Sequence, residues 1–158
     1  MALDADLKKR ILQAVEEGFD DQIAFTQKLV QIPSLRGHEH SIQDLLFRTL
    51  QSRGYAMDRF KMDREAIEAH PGGSKFSEHH SDAPIVVGIH RPRDEKGRSL
   101  ILQSHLDVVP EGLHDMWSDP PYSAKIDGDW MFGRGAGDMK SGAAANIFAL
   151  DALRRIGL

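Results

Sequence analysis

The stretch from Ser141 to Ile156 constrains the fold most. Ala143, Ala144, Ile147, Phe148, Ala149, Leu150, Ala152 and Leu153 make it a helix that is apolar on most sides. Such a helix expects cover on more than one face. Arg154 and Arg155 in its last turn suit a helix C-terminus, and Gly157 suits the cap. The cover is sought in apolar runs short enough to be strands. Ile85-Val86-Val87-Gly88-Ile89 follows Pro84, and Leu100-Ile101-Leu102-Gln103-Ser104 comes after a charged turn over Arg91 to Arg98. Runs of this kind predict neighbouring strands buried on both faces. The fold expected is therefore α/β, with a mostly parallel or mixed sheet flanked by helices.

Earlier in the chain, Leu7, Ile11, Leu12 and Val15 recur at helical spacing. Ile23, Phe25, Thr26, Leu29, Val30 and Ile32 continue the pattern, with Gly18 as its weak point. Pro33 ends it, because the residue before proline is pushed out of the α region. Ser34 to His40 is a polar turn. Ser41 is the expected N-cap of a helix carrying Ile42, Leu45, Leu46 and Leu50, which closes near Gly54. Tyr55 to Met62 alternates as a strand does. Ala66 to Ala83 holds Pro71, Gly72, Gly73, His70, His79 and His80, and is expected to be a loop with some local structure. Ser123 to Phe132 predicts a hairpin around Gly128-Asp129.

The 158 residues suit one domain and show no internal repeat. A net charge of -4 gives no basic excess of the kind that binds nucleic acid. No window approaches the roughly twenty apolar residues of a membrane span. The N-terminal residues are charged and lack the apolar core of a signal peptide, so the cytoplasm is the expected compartment. There is no cysteine, which excludes disulfides, thiolate metal ligands and a cysteine nucleophile.

A metal would therefore be held by His, Asp and Glu, as in catalytic zinc, manganese or cobalt sites. Two segments offer that chemistry. Ser104-His105-Leu106-Asp107-Val108-Val109-Pro110 ends an apolar run, and residues two apart in extended chain face the same side. His105 is the candidate ligand. Asp107 is the carboxylate able to accept its other ring N–H, fixing the tautomer and raising the basicity of the ligand. About thirty residues on, Asp138 sits in Gly133-Arg134-Gly135-Ala136-Gly137-Asp138-Met139-Lys140-Ser141-Gly142, where the glycines permit a tight turn. Its two oxygens can bridge two cations, and paired cations clamp a water against a carbonyl. Other histidines carry less: His38-Glu39-His40 is expected to be a solvated turn, His79-His80 to lie at the surface, and Trp117 and Trp130 to pack.

Taken together, Ser-His-Leu-Asp-Val-Val-Pro, Trp117-Ser-Asp-Pro-Pro-Tyr-Ser-Ala with Asp127-Gly128, and Gly-Arg-Gly-Ala-Gly-Asp-Met-Lys-Ser-Gly resemble the M20 family of zinc-dependent peptidases and deacylases. Ile32-Pro33-Ser34 with Gly37-x-Glu39 extends the likeness towards the N-terminus. Within the family the chain is most similar to the acetylornithine deacetylase / succinyl-diaminopimelate desuccinylase group. The resemblance implies two zinc ions per intact site, with cobalt or manganese as substitutes. It makes His105 a ligand of one zinc, Asp138 the bridging ligand followed by a cis peptide, and Asp107 the catalytic-site carboxylate that steers His105. It implies hydrolysis of N-acyl amino acids or similar amides, a homodimeric intact protein, and no nucleic-acid or membrane partner.

The family also carries a Glu-Glu pair, further ligands and a lid domain that residues 1–158 do not hold. The chain is thus expected to be the N-terminal part of a zinc-peptidase-like catalytic domain, inactive alone. Two rivals stand beside this reading. One is a non-enzymatic interaction or structural module. The other is a nucleotide-binding loop at Gly133–Gly137, against which the Asp138 carboxylate argues by repelling phosphate.

Overall fold

The computed structural model describes residues 4–76, 81–91 and 97–158. They form two compact units of an α/β chain. The first comprises Met1–Gln31, Ile101–His105 and Glu111–Leu158; the second comprises Ile32–Leu100 and Leu106–Pro110.

In the first unit, α1 (Ala5–Glu17) starts at Asp4, whose Oδ2 accepts the Leu7 N–H at 3.2 Å. Gly18 separates it from α2 (Phe19–Val30), as the weak point in the periodicity predicts. The apolar C-terminal helix (Ser141–Arg155, α5 below) packs on both. Phe25 and Phe148 meet with ring centroids 6.0 Å apart, and Ala14, Ala143, Ala144 and Ala152 are buried, so small side chains let the helices approach. Leu29 and Val30 are fully buried. Each such side chain contributes about 1.5–3 kcal/mol. Gln27 Nε2 donates to the Ala124 carbonyl at 3.0 Å and ties α2 to the predicted hairpin. That hairpin pairs β3 (Lys125–Asp127) with β4 (Trp130–Phe132) antiparallel, with Gly128 at φ +57 in its turn.

In the second unit, α3 (His40–Ser52) starts one residue before Ser41, with Glu39 at the cap position, and Gly54 follows it at φ +78. β1 (Ala56–Phe60) and β2 (Ile85–Ile89) pair antiparallel, from Ala56 opposite Ile89 to Phe60 opposite Ile85. α3 covers β2. Gly88 permits this, since a Cβ there would lie 3.1 Å from Leu50 Cδ1. Ile42, Tyr55, Ala83, Leu106 and Val108 form the core of this unit. A parallel bridge joins Leu35 to Val108. Among the described residues the two sheets are antiparallel pairs, and parallel pairing is confined to that bridge.

Two sequence readings are corrected and a third, the loop with some local structure, is made specific. Leu100 to Ser104 forms no strand; Leu100 and Ile101 are 77% and 87% exposed. An apolar run signals an appetite for burial, but a strand also needs an edge to pair with. The stretch after Asp63 contains a short helix, α4 (Arg64–Ala69), capped by Asp63 Oδ1 from the Ala66 N–H at 3.0 Å. Glu39 is buried, not solvated: its carboxylate accepts the Ser81 hydroxyl at 2.5 Å, while His38 and His40 are exposed. His79-His80 and most of the charged turn over Arg91 to Arg98 lie outside the described residues.

Candidate metal centre

The hairpin of the first unit delivers the chain into Gly133, where close packing leaves no room for a side chain. A Cβ there would lie 2.5 Å from Val30 Cγ1 and 3.2 Å from the Pro121 carbonyl oxygen. The Arg134 N–H donates to that same carbonyl at 2.7 Å. Gly135 then adopts a left-handed conformation (φ +79), which glycine reaches without penalty. The Lys140 N–H closes back on the Gly135 carbonyl at 3.0 Å. Inside the loop so formed, Asp138 leaves helical geometry (φ -126, ψ 98) and its peptide to Met139 is cis.

This backbone presents the Asp138 carboxylate outwards, with the side chain 90% exposed. His105 Nε2 lies 3.0 Å from Asp138 Oδ1, across a sequence separation of 33 residues. Asn146 of α5 donates to the Gln103 carbonyl at 3.3 Å. The helix that follows Asp138 thereby also holds the segment that leads into His105. The two side chains form an imidazole–carboxylate hydrogen bond. Their spacing is also short enough for both to reach one cation at the roughly 2.0–2.1 Å of zinc–nitrogen and zinc–oxygen bonds.

Beneath the loop, Lys140 is fully buried, with Nζ 5.9 Å from the Tyr122 ring centroid. Burial pulls its ammonium down to about 8. The Glu111 carbonyl accepts from Trp117 Nε1 at 3.0 Å and from Arg134 Nη2 at 3.2 Å, and Arg134 stacks over Trp117 at 5.3 Å. These contacts pin the loop after Pro110 to the glycine-rich turn. The neighbouring Tyr122 hydroxyl holds the Glu111 carboxyl below its usual value, helped by its own backbone amide and by the charges of His114 and Arg134. Burial first, and Glu111 second, push the Tyr122 phenol upwards. Tyr122 Oη meets no partner within strict hydrogen-bond geometry among the described residues, so the two groups interact as close neighbours and not as a well-aligned bond. Trp130, expected to pack, is 73% exposed on the hairpin.

Asp107 belongs to the second unit. Its Oδ2 lies 3.8 Å from Arg36 Nη2, a contact with no local sequence signal. The structure thus brings His105 and Asp138 together and gives Asp107 a cationic neighbour. Among the described residues no group of three or more His, Cys, Asp or Glu side chains could hold a metal. Among the described residues the His105–Asp138 pair brings two donors together. Sequence reasoning missed Lys140, Asn146 and Arg36, because each acts through a partner distant along the chain.

Residues 101–158, which contain both His105 and Asp138, match the model of peptidase family M20/M25/M40. A succinyl-diaminopimelate desuccinylase of Dinoroseobacter shibae is 35% identical over 127 residues, covering 79% of this chain and 28% of the relative. One from Magnetococcus marinus is 30% identical over 129 residues, covering 82% of this chain and 28% of the relative. The chain therefore spans a little over a quarter of the length of these curated relatives. With a histidine and an aspartate converging inside the matched segment, the chain belongs to peptidase family M20/M25/M40.

Proposed function

We propose that this chain is the N-terminal part of the catalytic domain of a metal-dependent hydrolase that cleaves the amide bond of N-acyl amino acids. The observation that carries the reading is the 3.0 Å approach of His105 Nε2 to Asp138 Oδ1 inside the family segment. His105 and Asp138 would hold the cation, zinc in the first instance and cobalt or manganese in its place. When bound, a divalent ion supplies Lewis-acid polarisation of the amide carbonyl and a water acidified to a pKa of about 7. Asp107 would orient the imidazole of His105 by accepting its second N–H, and Arg36 at 3.8 Å holds the Asp107 carboxylate.

The relatives' names point to N-succinyl amino acids as the substrate class. We assign the intact protein to a homodimer acting on small molecules in the cytoplasm. No described helix is long and apolar enough to cross a membrane. Exposed Leu100, Ile101, Leu113 and Met116 favour a part of a larger layer over a self-sufficient module.

With two donors in place, the 158-residue chain should bind zinc weakly and hydrolyse nothing. Zinc titration of the wild-type chain against H105A and D138A tests the half-site, both variants losing the binding. Chelator-sensitive hydrolysis of N-acetyl or N-succinyl amino acids by the purified chain would refute the proposed division of labour.

A further inference from the structure

Within the first unit, α1, α2 and α5 leave a cavity of about 270 Å3 between them. Its wall is mostly apolar. Val15 comes from α1, and Ala145, Phe148 and Ala149 come from α5. Phe148 is held in place by its ring contact with Phe25. Ala145 and Ala149 are exposed, so the hollow opens to water and is not a void in the core. Two opposite charges also line it: Asp151 and Arg155, one turn apart on α5.

Gly18 lets the guanidinium lie here, because a Cβ at that position would stand 3.0 Å from Arg155 Nη1. The contacts that the guanidinium makes with the protein are long. Nη1 is 3.5 Å from the Ala14 carbonyl oxygen, and Nη2 is 3.9 Å from Asp21 Oδ2. Asp21 is 77% exposed, so water screens that pair. A guanidinium carries five N–H donors in a planar fork that matches a carboxylate, and contacts this long leave the fork able to turn towards one. A simple anion is nevertheless a poor match, because the carboxylates of Asp21 and Asp151 neighbour Arg155 and repel it. A simple cation is repelled by Arg155 itself. A molecule with both charges and an apolar tail satisfies the two side chains and buries its tail against Phe148. The volume falls just under the roughly 300–1,000 Å3 of drug-sized pockets, so the fitting ligand is smaller than a drug.

We propose that this cavity binds a free apolar α-amino acid, with its carboxylate on Arg155, its ammonium on Asp151 and its side chain against Val15, Phe148 and Ala149. The site needs no metal and stands apart from the hydrolase reading.

The test titrates L-phenylalanine into the whole 158-residue chain, followed by amide 1H–15N shifts. A ligand of about a dozen non-hydrogen atoms at ordinary efficiency binds with a Kd on the order of 1 mM. Saturable shifts should gather on the cavity wall, Val15 and Ala149 among them. 3-Phenylpropionate lacks the ammonium and phenethylamine lacks the carboxylate, and each should bind about fivefold more weakly. R155Q should weaken L-phenylalanine about fivefold and phenethylamine not at all, while D151N should erase the preference for L-phenylalanine over 3-phenylpropionate. Ala149→Leu fills the cavity from an exposed position and should abolish saturation, with circular dichroism confirming that each variant is folded. The proposal is overturned if L-phenylalanine gives no saturable shifts in the wild type, if the three compounds bind alike, or if folded A149L binds as well as the wild type.

Discussion

Gly133→Ala is the sharpest structural test of how the glycine-rich turn is seated. The new methyl would stand 2.5 Å from Val30 Cγ1 and 3.2 Å from the Pro121 carbonyl oxygen. Val30 is fully buried and cannot swing into solvent, and the Pro121 carbonyl is already engaged by the Arg134 N–H at 2.7 Å. Overpacking of this kind costs about 1–3 kcal/mol. Alanine also restricts the unfolded chain, which returns about 0.4–1 kcal/mol. The net expectation is a loss of about 1–2 kcal/mol. Val30→Ala alone removes two buried methyl groups and leaves a cavity, for about 2–3 kcal/mol. In the double variant the new methyl occupies space vacated by the valine, so its cost should be smaller than the sum by at least about 1 kcal/mol. Urea unfolding followed by tryptophan fluorescence measures all three. Trp117 and Trp130 both belong to the same unit as Gly133 and Val30, so the signal reports on the right region. Additivity within about 0.5 kcal/mol would show that the two positions do not touch, and the seating of the turn described here would be wrong.

Acid sensitivity follows from Glu111. Its folded-state carboxyl is held below the ordinary 4.5, so its contribution to stability is complete above that pH and lost as pH falls through the lowered value. Glu111→Gln, and Tyr122→Phe to a lesser degree, should flatten the acid limb of a stability–pH curve measured by urea midpoints; an unchanged limb in both would refute the link. Ser81→Ala removes the hydroxyl that donates to buried Glu39 and should destabilise the second unit by about 1–3 kcal/mol, with Glu39→Gln in the S81A background recovering part of the loss. Amide exchange across α3, β1 and β2 would register both changes, and no loss of protection in S81A would contradict the bond. If His105 and Asp138 hold zinc as proposed, added zinc should raise the thermal midpoint of the wild type and excess chelator should reverse it, while H105A and D138A respond to neither.

The helices were legible because their signals are local. Periodicity gave α1, α2 and α5, the break at Gly18 included, and Gly128-Asp129 announced the hairpin between β3 and β4. Leu100-Ile101-Leu102 was misread because apolar content does not say whether a pairing edge is within reach. α4 escaped notice because six residues carry too little periodicity, although Asp63 three residues before Ala66 was its capping signal. At the site, residue types and spacing named His105 and Asp138, and the structure brings them to 3.0 Å. Spacing could not foresee that Arg36 stands beside Asp107, or that a lysine two residues past Asp138 is entombed. Those facts depend on which distant segment folds against which.

The outward presentation of Asp138 has a kinetic consequence. A side chain 90% exposed, on a turn whose backbone bonds close without it, asks for no breathing motion before an ion arrives or leaves. Under the proposed role of Asp138 as a ligand, exchange at this carboxylate would be limited by dehydration and ligand substitution at the ion, not by opening of the polypeptide. Cations should equilibrate with it at the same rate in rigid and in loosened variants of the chain, and swapping one metal for another should leave no memory in the fold.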